Sequence, residues 1–141
     1  MIEISDKVRV AVPQDEEAIM DLSRLLHAEN ASASMNEEKL RAMIRKALDP
    51  DKSTFIGLCG VIGPPGGPLA AVCYLFVAQL WYTDDWHLEE VFLFVHPDYR
   101  RQPYGRIMMH FMKATSERLQ IPLLTGIVSN HRTEAKVRLY E

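Results

Sequence analysis

Residues 7–12, KVRVAV, alternate polar and apolar side chains, the period-two pattern of a half-buried strand, and Pro13 closes the run. From Asp15 the period changes. Ala18, Leu22, Leu25 and Leu26 recur on one face as far as His27, with acidic residues in the first turn, which predicts an amphipathic helix with a complemented dipole. ENASASMN, at 29–36, breaks that pattern. Ser34 and Glu37 then stand at capping-box spacing, and Leu40, Met43, Ile44, Ala47 and Leu48 form the stripe of a second helix stopped by Pro50.

Two strands follow, STFIGLCGVI (53–62) and LAAVCYLFVAQLW (69–81), joined by the loop GPPGGP. The second is apolar at nearly every position, as expected of a central strand covered on both faces. WYTDDW makes a polar-aromatic turn into HLEEVFLFV (87–95), a further strand. A third helix is predicted over 104–119 with Met108, Phe111, Met112 and Leu119 inward, then a strand in IPLLTGIVS and the start of a fourth helix in HRTEAKVRLYE. The order β, α, α, β, β, β, α, β, α predicts one α+β domain over 1–141, a mixed, mostly antiparallel sheet with helices on both faces. The consecutive strands form an antiparallel meander. The last strand, reached through a helix, runs parallel to its predecessor.

A chain of 141 residues with 48% apolar content can bury a real core. Its formal charge of −3 argues against a nucleic-acid surface, so any anion site must be local. The N-terminus has no apolar signal core and no run approaches the ~18 apolar residues of a membrane span, so a cytoplasmic protein without membrane contact is expected. Cys59 and Cys73 lie inside apolar strand patterns and read as reduced core residues. The five histidines, at 27, 87, 96, 110 and 131, show no metal spacing, so no metal is expected.

The candidate chemistry lies in VHPDYRRQPYGR, residues 95–106, where Arg100, Arg101 and Arg106 crowd the mouth of the third helix. A helix N-terminus carries unpaired N–H groups and partial positive charge, so this basic turn suits a phosphate-bearing ligand. The segment resembles the acetyl-CoA loop of the GNAT superfamily of N-acetyltransferases, in which Val-x-Pro-x-Tyr-Arg leads into Arg/Gln-x-x-Gly-x-Gly/Ala and a helix. Arg100, Pro103 and Gly105 fall on the fixed positions, with proline where the family usually has glycine. The element order matches the family's, and SNHRTEAKVRLYE resembles its segment after the fifth strand, with Asn130, Ala135 and Tyr140 on the matching positions.

The resemblance implies acetyl-CoA as cosubstrate, held by Arg100, Arg101, Gln102, Tyr104, Gly105, Arg106 and Asn130. Pro103 offers one amide fewer, for which Arg101 or Arg106 compensates. It also implies an oxyanion amide near Phe94 or Val95, and Tyr140 as the acid that protonates the departing thiolate. The acceptor is a primary amine of a small molecule or peptide. An amine of pKa about 10.4 is almost wholly protonated at pH 7 and needs a base, for which Glu89 and Glu90 are the candidates. Strand parity favours Glu89, and a bulge would exchange the two. Trp81, Tyr82 and Trp86 either line an acceptor pocket or cover the end of the core. The alternative is a non-catalytic acyl-CoA-binding or regulatory module of the same fold. A doubly wound nucleotide fold is disfavoured, since no glycine-rich turn follows the first strand. The family normally adds two strands beyond the Tyr-Glu, absent here, so an open edge and a two-fold homodimer are expected.

Overall fold

The computed structural model describes residues 7–30 and 33–125. Its strands are β1 (Arg9–Val10), β2 (Gly57–Ile62), β3 (Ala71–Gln79), β4 (Trp86–Val95) and β5 (Leu123–Leu124), and its helices are α1 (Glu16–Asn30), α2 (Glu37–Leu48) and α3 (Tyr104–Leu119). The strands lie in sequence order in one sheet, β1 to β4 antiparallel and β5 parallel to β4. This is the mixed sheet that the hydrophobic pattern predicts. The expected fourth helix, with Asn130 and Tyr140, lies outside the described residues.

Two apolar layers hold the sheet. On one face Ile19, Met20 and Leu22 of α1 and Ile44, Ala47 and Leu48 of α2 pack on Val61, Val72, Tyr74 and Phe94. On the other, Met108, Met109 and Met112 of α3 pack on Ile62, Ala71, Cys73, Leu75 and Leu88. Every residue of β3 from Ala71 to Leu75 is buried, which explains why that strand reads as a continuous apolar run. Gly60 lets α3 approach β2: a methyl group built there would stand 2.5 Å from the Phe111 ring edge and 3.1 Å from Cys73 Sγ.

Element starts differ from the pattern in several places, and β2 and β3 begin at Gly57 and Ala71, later than the apolar runs at 53 and 69. Only Arg9 and Val10 of the first run pair as a strand, because Pro13 opens a 3-10 turn over Pro13–Asp15 ahead of α1. The cap of α2 is Asn36, whose side chain accepts from the Lys39 amide at 3.0 Å, and not Ser34. A cap must stand directly before the first helical residue, which is Glu37.

Asp15 forms the main polar knot. Its fully buried carboxylate accepts both terminal nitrogens of Arg9 at 2.8 and 2.9 Å, the Val12 amide at 2.8 Å and the Gly66 amide at 3.1 Å. Burial alone would raise its pKa, but the Arg9 fork and the two amides outweigh that and hold it below the usual carboxylate value. Gly66 reaches this position with φ of +72°, which favours glycine. The knot fixes the 63–68 loop against the start of α1.

Candidate functional site

The ladder between β3 and β4 pairs Tyr74 with Phe92 and Leu75 with Glu90, leaving Val91 as an extra residue in β4. This bulge resets the parity of the strand. Beyond it, Phe92 and Phe94 face α1 and α2, while Leu93 and Val95 face α3. Before it, Glu89 pairs with Phe76 and shares the α1–α2 face, whereas Glu90 pairs with Leu75 and is buried on the α3 face. The bulge expected to exchange the two is present, yet strand alternation points the carboxylates to opposite sides and it is Glu89, its side chain 42% exposed, that reaches solvent while Glu90 is buried.

Among the described residues the β4–β5 ladder ends at Glu89 and Leu124, just before the bulge. The His96 amide donates to Ala70 at 2.8 Å, so by strand alternation the Phe94 N–H turns inward to β3 and those of Leu93 and Val95 turn to the opposite edge. Among the described residues no strand pairs with that edge beyond Glu89. Of the two amides expected near an oxyanion, Val95 thus turns its N–H into the fork that the described residues leave between β4 and β5. Phe94 gives its ring to the core.

The chain leaves β4 through a 3-10 turn, Pro97–Tyr99, and enters α3 at Tyr104 with Pro103 in the N-cap position. The Gln102 amide is spent on the Tyr99 carbonyl at 3.0 Å, and the Arg100 amide reaches the Pro97 carbonyl at 3.5 Å. The amides of Arg101, Tyr104, Gly105 and Arg106 find no acceptor among the described residues. α1 and α2 each carry two acidic residues in the first turn, whereas α3 carries none and has Arg106 there instead. A cation at a helix N-terminus opposes the dipole, typically by 0.3–1 kcal/mol, so α3 holds an unbalanced positive site. The side chains of Arg101, Gln102 and Arg106 are exposed beside it and make no hydrogen bond among the described residues.

Arg100 behaves differently. Its Nη2 donates to Glu29 Oε2 at 2.6 Å, its Nε to the Val95 carbonyl at 3.2 Å, and its guanidinium lies 5.2 Å from the centre of the Phe94 ring. It clasps the loop to the end of α1. The other oxygen of Glu29 is buried with no hydrogen-bond partner among the described residues. Sequence reading missed Glu29, which stands 71 residues from its partner with no local signal. It also missed His87, buried at 4% exposure, whose Nε2 lies 2.9 Å from Glu89 Oε1. The i, i+2 spacing on a strand was the available signal there.

The remaining side chains narrow the chemistry. Cys59 and Cys73 are buried on opposite faces, and burial pushes the Cys73 thiol up to about 12 and the Cys59 thiol well above its ordinary value, so neither is a thiolate at neutral pH. Trp81, Tyr82 and Trp86 are 93%, 68% and 54% exposed, so they do not cover the core end as strand-turn aromatics commonly do. No helix among the described residues is long and apolar enough to cross a membrane.

Comparison with known proteins places this arrangement. The model of the acetyltransferase (GNAT) family matches residues 17–141. Among solved structures, a possible acetyltransferase from Clostridium difficile 630 superposes with a TM-score of 0.72 at 15% identity, covering 94% of this chain and 85% of that one. A ribosomal-protein-alanine N-acetyltransferase from Brucella melitensis biovar Abortus 2308 gives 0.66 at 12% identity, with 94% and 86% covered. An aminoglycoside acetyltransferase from an uncultured soil metagenomic sample, in complex with trehalose, gives 0.64 at 14%, with 98% and 88% covered. No curated protein sequence matches.

Proposed function

The chain belongs to the GNAT acetyltransferase family, and on that footing we propose that it transfers an acetyl group from acetyl-CoA to a primary amine of a small molecule or peptide by direct attack. The observation that carries this reading is the juxtaposition, among the described residues, of a β4 edge unpaired beyond Glu89 with a helix N-terminus whose amides have no acceptor and whose first turn has no acid. The pyrophosphate of CoA sits on the amides of Tyr104, Gly105 and Arg106, with Arg101 and Arg106 closing on it. Arg100 shapes the loop from behind, through Glu29. The Gln102 side chain is left for the outer phosphate, and Asn130 keeps the role that its motif position suggests.

The amide-rich arm of the cosubstrate lies in the fork and pairs with Leu93 and Val95 as a missing strand would. A carbonyl oxygen there gains a strand N–H as it becomes an oxyanion. Glu89 takes the amine's proton. Four residues of strand separate it from Leu93, about 13 Å at ~3.3 Å per residue, which exceeds the reach of a glutamate side chain, so a bridging water completes the path. Glu90, under α3, is not placed for that task. Tyr140 protonates the departing thiolate, an assignment resting on its motif alone.

A second reading, acyl-CoA binding without turnover, is favoured by two donors withdrawn from the loop: Pro103 has no N–H and Arg100 is held by Glu29. Calorimetry with CoA and acetyl-CoA, run beside a thiol-release assay over a panel of polyamines, aminoglycosides and peptides with free N-termini, separates them. Binding with thiol release supports transfer. Binding without release across the panel supports the second reading, and no binding removes both.

A further inference from the structure

The geometry points to His87 as the residue that positions Glu89, an inference that rests on the reading of Glu89 as the base. His87 and Glu89 lie two apart in β4, on one face of the strand, with Nε2 and Oε1 2.9 Å apart. The imidazole is buried while the carboxylate is half exposed, so the pair is anchored at its inner end and open at its outer end. Glu89's backbone is fixed on both sides, opposite Phe76 in β3 and Leu124 in β5, at the last described rung before the fork. Both neighbours are apolar. His87 is the only polar group that contacts the Glu89 side chain among the described residues.

A glutamate has three side-chain torsions, and one with no partner samples many rotamers. Tethering Oε1 to a buried ring leaves Oε2 as the oxygen that meets water or substrate. The tether is an N–H donated to the carboxylate. In the tautomer that this requires, Nε2 carries the hydrogen and donates to Oε1, while Nδ1 is bare. When the amine attacks, its proton passes through water to Oε2, and His87 keeps its own proton throughout. His87 therefore neither gives nor takes a proton in the cycle. It holds the acceptor of the proton in place.

Four measurements test this. Nitrogen chemical shifts of the wild-type His87 ring at neutral pH should show Nε2–H and a bare Nδ1; the opposite tautomer overturns the proposal even if no variant folds. Carboxyl-carbon shifts should be read at neutral pH in protein labelled at glutamate, with Glu89 assigned as the resonance lost in Glu89→Gln. The Glu89 resonance should move in His87→Leu, which removes the donor, and return toward its wild-type position in His87→Gln, which retains an N–H donor. An unmoved resonance in a folded His87→Leu overturns the proposal. With the best amine from the panel, His87→Leu should lower kcat by roughly tenfold, a fraction of the ~10²–10⁴-fold worth of a general base, with KM for acetyl-CoA unchanged. His87→Gln should lose less than about threefold. Equal losses in both variants would mean that the ring only packs. A fully active Glu89→Gln instead removes the base reading itself, which is a separate outcome from failure of the His87 role.

Discussion

Replacing Gly60 with alanine tests whether α3, and with it the anion site, is seated by the absence of one methyl group. The added Cβ would stand 2.5 Å from Cε2 and 3.0 Å from Cδ2 of Phe111, with Cys73 Sγ at 3.1 Å. Carbon atoms in contact settle at about 3.5–4.0 Å, so the ring must retreat by roughly 1 Å. Phe111 is on α3 and part of the packed layer, so its ring retreats by tilting the helix or leaving its rotamer. Overpacking of this kind costs about 1–3 kcal/mol. For a domain of this size that lowers Tm by about 3 °C per kcal/mol. Thermal unfolding of Gly60→Ala, Phe111→Leu and the double variant forms a cycle. The alanine should be costly with Phe111 present and nearly free with leucine there, a coupling of at least about 1 kcal/mol. Phe111 lies seven residues into a helix that rises 1.5 Å per residue, about 10 Å from Tyr104, so acetyl-CoA affinity should fall with Tm in the single variant and recover in the double. An unchanged Tm, or an equal cost in both backgrounds, would refute the account of how α3 is seated.

Arg101→Ala with Arg106→Ala should weaken acetyl-CoA binding by about 1–3 kcal/mol and flatten its salt dependence, read by calorimetry at two ionic strengths. Because Asp15's pKa is lowered on folding, its contribution is present above the unfolded value near 3.9 and is lost as pH falls below it. Asp15→Asn should remove that part of the acid slope and cost about 2 kcal/mol at pH 7, less than for a fully buried pair because Arg9 is partly exposed, measured by urea unfolding from pH 2.5 to 7. Tyr74→Phe deletes a hydroxyl that donates to the Met43 carbonyl at 2.5 Å and should cost about 1 kcal/mol in the same assay.

The architecture was legible because each layer writes its own period. The stripe of α2 matches its buried face, and the unbroken apolar run of β3 reflects cover on both sides, but Leu25 of the α1 stripe and Leu119 of the α3 stripe are exposed, while Ile19, Met20 and Met109 are buried beside them. The basic turn at the start of α3 was legible too, since its arginines and glycine are contiguous. What was hidden was hidden for physical reasons. VFLFV is apolar on both faces, so nothing in it reveals that Val91 is an extra residue and that Glu89 therefore shares the face of Phe92 and Phe94. The Arg100 clasp depends on a helix 71 residues away, and local reading assigned that arginine to phosphate. The exposed Trp81 carries no sequence signal that separates it from a core aromatic.

The Asp15 knot also bears on how long the folded state lasts. Its ligands come from β1, from the turn before α1 and from a loop 51 residues downstream, so it can close only after β2 and β3 have paired and brought Gly66 back. A contact of that kind is expected to join late on the folding route, so Asp15→Asn should raise the unfolding rate and leave the folding rate nearly unchanged in stopped-flow measurements. A single carboxylate would then work as a clock for the whole sheet, lengthening the interval during which the N-terminus of α3 stays assembled.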